Sequence, residues 1–224
     1  MTAPIVVFDL DGTLIDSLPD IHAASARLLA AEGLAPLPLE RTRAFIGRGV
    51  PALIDQIIAA TPLDAADLDR LIAAFLADYN ANSAHLTRLY PNVLQCLTRL
   101  NDLGFRLGVC TNKPLEPTQH ILKAYGLSDL ICGVVGGDSF PAKKPDPTGL
   151  KSLIERLGNG PALYIGDSAI DALTATRAAI PFGLFTEGYL NANPADVHST
   201  FQFDAFGELA SIVEDLLARP GAPA

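Results

Sequence analysis

The sequence predicts an α/β fold, a doubly wound parallel sheet with an all-helical segment inserted near its start. Two observations carry this. Short apolar runs rich in Val, Ile and Leu alternate with stretches of helical period over most of the chain. Between about residues 18 and 85 the alternation stops, and three helical stretches follow one another with no strand between them.

The elements can be taken in order. IVVFD (5–9) is an unbroken apolar run, as expected of a strand buried on both faces of a parallel sheet. The stretches IHAASARLLAAEG, PALIDQIIAA and DAADLDRLIAAFLADY then have helical period. RLGVCT (106–111), LICGVVG (130–136), ALYIGD (162–167) and PFGLFT (181–186) are further strands. VLQCLTRLNDLG (93–104), PTQHILKAYG (117–126) and PTGLKSLIERLG (147–158) are helices that each close on a glycine, a C-terminal stop signal. Helices are also expected over 170–179 and 206–218, with RPGAPA as a short flexible tail. The predicted organisation is a core of residues 1–17 and 86–224, with a helical unit of residues 18–85 inserted after the first strand.

Composition narrows the function. Hydrophobic residues make up 49% of the 224 and charged residues 18%, as in a globular chain with a large core. The formal charge of −9 disfavours nucleic acid and anionic membranes as partners. An anionic ligand would need local positive charge, from a metal or a few placed cations. The three cysteines form no CxxC pair, as expected of a reduced, cytoplasmic protein. The N-terminus enters a strand directly, so no signal peptide is expected. No apolar run approaches the ~20 residues that span a bilayer. Monomer and dimer are both left open.

In open parallel sheets, ligands bind beyond the carboxyl ends of the strands. Strand one delivers Asp9, Asp11, Gly12 and Thr13. The next delivers Thr111, Asn112 and Lys113. After the third comes AKKPDP with Lys143 and Lys144, and the fourth delivers Asp167 and Ser168, with Asp171 one turn on. Taken singly, each is an ordinary turn, cap or surface residue. Together they place carboxylates, a hydroxyl and a lysine at one edge.

DLDGT (9–13), CTNK (110–113), KPDP (144–147) and GDSAID (166–171) resemble, in order, the four motifs of the haloacid dehalogenase superfamily. The helical insertion is similar to that superfamily's C1-type cap on a Rossmann-like core, and the overall pattern to phosphoglycolate phosphatase-like hydrolases. The resemblance implies a Mg2+-dependent phosphomonoester hydrolase. Asp9 would be the nucleophile that carries the phosphoryl group. Asp9, Asp167 and the backbone carbonyl of Asp11 would hold Mg2+, with Asp171 supporting from behind. Asp11 would act as general acid, then general base. Thr111, Asn112 and Lys144 would bind phosphate, with Lys144 also offsetting charge on Asp9. Family members that dehalogenate lack an acid at the position of Asp11, so its presence favours phosphoryl chemistry.

The implied substrate is a small soluble phosphate ester, with 2-phosphoglycolate first. Sugar-phosphate or nucleotide phosphatases, a pyrophosphatase and a β-phosphoglucomutase-like mutase stand as alternatives. The stretch FIGRGVPAL (45–53) departs from the mutase pattern and matches an IGxG-like one. Arg48 in that loop is either a solvated arginine or a bidentate partner for a substrate carboxylate. A receiver-like phospho-aspartate signalling module is the rival from another class, and Asp11 and the helical insertion argue against it.

Overall fold

The computed structural model of the chain describes residues 2–217. Six strands form its centre: β1 (Ile5–Phe8), β4 (Arg106–Cys110), β5 (Ile131–Val135), β6 (Ala162–Gly166), β7 (Phe182–Phe185) and β8 (Phe201–Phe203). All pair in parallel, in the order β5-β4-β1-β6-β7-β8. β1 is central and fully buried because both faces are covered. Val6 and Phe8 join one apolar cluster, Ile5 and Val7 the other. The first face packs on α5 (Val93–Asp102), α6 (Leu115–Ala124) and α9 (Phe206–Leu217), the second on α7 (Thr148–Arg156) and α8 (Ala169–Ala178). This is the expected doubly wound sheet. Its strand order reverses at β1, since β4 and β5 lie on one side and β6 to β8 on the other. That reversal opens a crevice at the C-terminal end of β1.

The five predicted strands and the core helices appear within a few residues of their expected bounds. α5, α6 and α7 each stop two residues before the predicted terminal glycine. Gly104 sits at φ +85°, a left-handed conformation that stops a helix at little cost only for glycine. The predicted tail lies outside the described residues.

Between the first and second strands of the sheet lie α1 (Leu18–Ala31), α2 (Leu39–Phe45), α3 (Val50–Ala59) and α4 (Leu68–Asn82). They have an apolar cluster of their own, centred on Leu29, Ile54, Ile57, Leu71 and Phe75. Two very short strands, β2 (Ile15–Asp16) and β3 (Arg88–Leu89), pair antiparallel where the chain enters and leaves this layer. Just inside that crossing, Asp20 accepts from the backbone N–H groups of Ala84, Leu86 and Thr87 and from the Thr87 hydroxyl, at 2.7–3.1 Å. The entering and returning segments are thereby tied to each other.

Candidate active site

β1 ends at Phe8, so Asp9 is the first residue beyond the sheet. Its N–H still donates to the Ile165 carbonyl at 2.8 Å, which holds it level with β6. The strand does not continue to Asp11. The backbone turns at Gly12, where φ is +87° and a Cβ would lie only 2.3 Å from Oδ2 of Asp167. Glycine is thus required twice here, for conformation and for space. The turn separates the two carboxylates that an extended strand would have set on one face.

Asp9 is buried, and burial raises its carboxyl, against the pull of the Lys144 ammonium, to about 7. Lys144 lies 2.8 Å from Asp9 Oδ1 and 2.7 Å from Asp171 Oδ1. Burial opposes the charge on Lys144, but Asp171 and Asp9 outweigh it and hold the amine well above its ordinary value. The Tyr164 hydroxyl closes this cluster, 3.0 Å from Lys144 Nζ and 2.9 Å from Asp171. Asp171 also completes a capping box with Ser168 at the start of α8. Its two oxygens are therefore engaged by Lys144, Tyr164 and Ser168.

Asn112 uses its side chain on backbone groups. Its amide nitrogen donates to the carbonyls of Lys144 (3.1 Å) and Gly47 (3.0 Å), and its oxygen accepts from Lys144 N–H (2.9 Å). It fixes the lysine and joins the core to the loop between α2 and α3. Gly49 in that loop explains the glycine spacing, since a Cβ there would press on the Asn112 carbonyl at 3.0 Å. Thr111 is buried beside it.

Asp167 accepts from the Thr13 hydroxyl at 2.8 Å and from Tyr189 N–H at 2.6 Å. Burial, then Asp171 and Asp9, push its carboxyl well above the ordinary range. Oxygens of Asp9, Asp167 and Asp171 lie within 4.8 Å of one another. Asp9 Oδ1 is buried without a hydrogen bond of sound geometry among the described residues, despite the nearby Lys144. Three crowded carboxylates, two of them disfavoured as anions, fit a hard, oxygen-seeking divalent cation. Asp9 and Asp167 have oxygens to offer it, whereas Asp171 is already committed to its neighbours.

Asp11 stands apart from that cluster. Its Oδ1 accepts from the Ser17 hydroxyl at 2.5 Å and from Lys113 Nζ at 3.0 Å. Lys113 also donates to the Tyr79 hydroxyl, on α4, at 2.5 Å. In the sequence Lys113 stands at the end of CTNK and Tyr79 at the end of the helical stretch DAADLDRLIAAFLADY, with nothing local to link the two. Tyr189 was not anticipated at all. Its hydroxyl lies within 2.8 Å of Asp16, Ser17 and Leu18, where the chain enters the helical layer.

Two spaces meet at Asp9 and Asp11. One is a chamber of about 50 Å3, roofed by Ile21, Phe45, Leu53 and Phe75 and bordered below by Thr111 and Lys113. The other is a wider cleft of about 360 Å3, lined by exposed Arg48 and half-buried Gln56 together with Asp167.

The class so defined is an α/β enzyme that gathers carboxylates and a buried ammonium at a topological switch point. The chain belongs to the haloacid dehalogenase-like hydrolases, whose family model matches residues 6–185. It is 44% identical over 218 residues to a phosphoglycolate phosphatase of Cereibacter sphaeroides, an alignment covering 96% of this chain and all of the relative. A phosphoglycolate phosphatase of Vibrio parahaemolyticus is 35% identical, with 93% and 95% covered. The crystal structure of a predicted phosphoglycolate phosphatase from Haemophilus somnus superposes with a TM-score of 0.88 at 31% identity, covering 95% of this chain and 99% of that one.

Proposed function

We propose that the chain is a cytoplasmic, Mg2+-dependent phosphatase that hydrolyses a small phosphomonoester, 2-phosphoglycolate first, through a phosphoryl group carried on Asp9. The observation that carries the reading is the position of Asp9, which borders both the small chamber and the wider cleft while Lys144 and Asp167 flank it. The names and high coverage of the relatives support the substrate.

Mg2+, held by Asp9, Asp167 and the backbone carbonyl of Asp11, would supply the positive charge that lets an anionic nucleophile meet an anionic phosphate. In the first step an Asp9 oxygen bonds to phosphorus and the ester P–O bond breaks. Asp11 gives its proton to the departing oxygen. In the second step Asp11 takes a proton from water, the water oxygen bonds to phosphorus, and Asp9 leaves as the carboxylate. Thr111 and Lys144 hold the nonbridging oxygens, and the Asn112 side chain keeps Lys144 in place. Asp171 supports Lys144. Residues 18–85 act as a cap that closes the chamber over the leaving group and excludes water. Arg48 reads a substrate carboxylate from the cleft side.

The test is release of inorganic phosphate from a panel of small phosphomonoesters. Phosphoglycolate should give the highest kcat/KM. Failure to hydrolyse any member would overturn the reading.

A further inference from the structure

We propose that Lys113 is a positioning residue for the proton carrier Asp11, and that Tyr79 extends this control to the helical layer. The inference rests on the reading of Asp11 given above.

A lysine following Thr-Asn at a strand end is ordinarily solvated. Here it is 7% exposed, at a site where an ammonium is costly unless paired. Burial opposes its charge, but Asp11 and Tyr79 outweigh that and hold the amine above its ordinary value. Its two contacts point in different directions. One is the 3.0 Å ion pair to Asp11 Oδ1, within the core. The other is the 2.5 Å bond to the Tyr79 hydroxyl, with Nζ also 4.5 Å from the centre of that ring. Tyr79 cannot easily yield, because it is 3% exposed and stacked on Phe75, with ring centroids 5.6 Å apart.

The consequence for Asp11 is one of aim. Ser17 and Lys113 both donate to Oδ1, and the other carboxylate oxygen accepts no hydrogen bond among the described residues. Two donors on one oxygen fix the rotation of the group and leave its partner oxygen available for proton transfer. Ser17 approaches from the start of α1. Lys113 approaches from the end of β4 and is itself held by α4. Asp11 is therefore aimed fully only while α4 is seated on the core. Removing Lys113 should leave the nucleophile intact but let the acid swing away from the leaving oxygen.

The experiment is single-turnover hydrolysis, enzyme in excess over substrate, by the full chain and by Lys113→Met, Lys113→Arg and Tyr79→Phe. Phosphoglycolate and ethyl phosphate have alkoxide leaving groups that need a proton, whereas nitrophenyl phosphate does not. For Lys113→Met the first step on both alkyl esters should slow roughly tenfold to a hundredfold, part of the ~10²–10⁴ that general acid catalysis supplies. Release of nitrophenol should stay within about twofold of the parent. Lys113→Arg should recover part of the alkyl rate. Tyr79→Phe keeps the stacked ring, so it preserves the fold if Lys113→Met does not, and should slow the alkyl esters by roughly threefold to tenfold, the net size of one ordinary hydrogen bond. Equal slowing of all three substrates would overturn the proposal in favour of phosphate binding or general support of the fold. Slowing confined to phosphoglycolate would overturn it in favour of a carboxylate contact. Parent rates throughout would overturn it outright. A parent enzyme that cleaves none of the esters would instead defeat the functional reading itself.

Discussion

The ammonium of Lys144 lies 2.8 Å from Oδ1 of Asp9, with 4% and 10% of the two side chains exposed. A pair this dry interacts far more strongly than one in water. It also sits where phosphate charge would gather. Lys144→Ala should lower kcat by roughly 10²–10³, the usual cost of one electrostatic clamp. Its exposed neighbour Lys143 is the control, and Lys143→Ala should change kcat little. Steady-state kinetics on phosphoglycolate decides between them, and equal effects would mean that the wrong lysine has been assigned.

A second prediction concerns the cation. Oxygens of Asp9, Asp167 and Asp171 crowd within 4.8 Å of one another, and Lys144 pairs with Asp9 and Asp171, so Asp167 has most to gain from a cation. Mg2+ at a hundredfold excess over its Kd should stabilise the fold by about 2.7 kcal/mol. In a thermal melt this is a rise of several degrees over chelated protein. Asp167→Asn should lose most of that rise. Activity should vanish in chelator, return with Mg2+, and be inhibited by Ca2+, whose larger and looser coordination misplaces the nucleophile. Full activity in excess chelator would contradict the metal assignment.

Asp20 offers a test of stability separate from chemistry. Burial works against its charge, but bonds from the Thr87 hydroxyl and the N–H groups of Thr87, Leu86 and Ala84 hold its carboxyl below the ordinary value. Asp20→Ala should cost roughly 2–3 kcal/mol. Because the folded value is depressed, the unfolded chain binds the proton more tightly. The Asp20 contribution is full above about pH 4 and is lost as pH falls through the folded value. The gap between parent and variant in urea unfolding should therefore shrink on acidification below about pH 4. A gap that widened there would have the wrong sign.

Arg48 is exposed and lines the cleft shared by Asp9, Asp11 and Asp167. If it holds a carboxylate, Arg48→Ala should lower kcat/KM for phosphoglycolate by at least about tenfold, as for a charge-assisted hydrogen bond. An aryl phosphate without a carboxylate should be nearly unaffected. Equal losses on both would rule the contact out.

The two halves of this account differ in how far they could be seen in the sequence. The strand ends were legible because parallel strands buried on both faces are unbroken apolar runs, and because the residues that follow them in the chain also gather in space. The pairing of β2 with β3 was not, since two-residue strands have no periodicity. Nor was β8, three residues at the edge of the sheet, or α2, seven residues that start behind Pro38. At the site, Asp9, Asp11, Lys144 and Asp167 lie in motifs that are compact in sequence. Lys113 acquires its meaning from Tyr79, 34 residues earlier, on a helix whose period shows only a buried face. Tyr189 bonds to Ser17 across 172 residues, and nothing local announces such a contact.

The central claim, that Asp9 carries the phosphoryl group while Asp11 moves protons, is tested most directly by mixing radiolabelled nitrophenyl phosphate with Asp11→Asn and with Asp9→Asn. Nitrophenolate leaves without a proton, so the first step survives loss of Asp11, but activation of water does not. Asp11→Asn should release a burst of nitrophenol, turn over slowly afterwards, and keep label on Asp9. Asp9→Asn should show neither burst nor label. Label trapped in Asp9→Asn, or parent-rate turnover of both nitrophenyl phosphate and phosphoglycolate by Asp11→Asn, would contradict this division of labour.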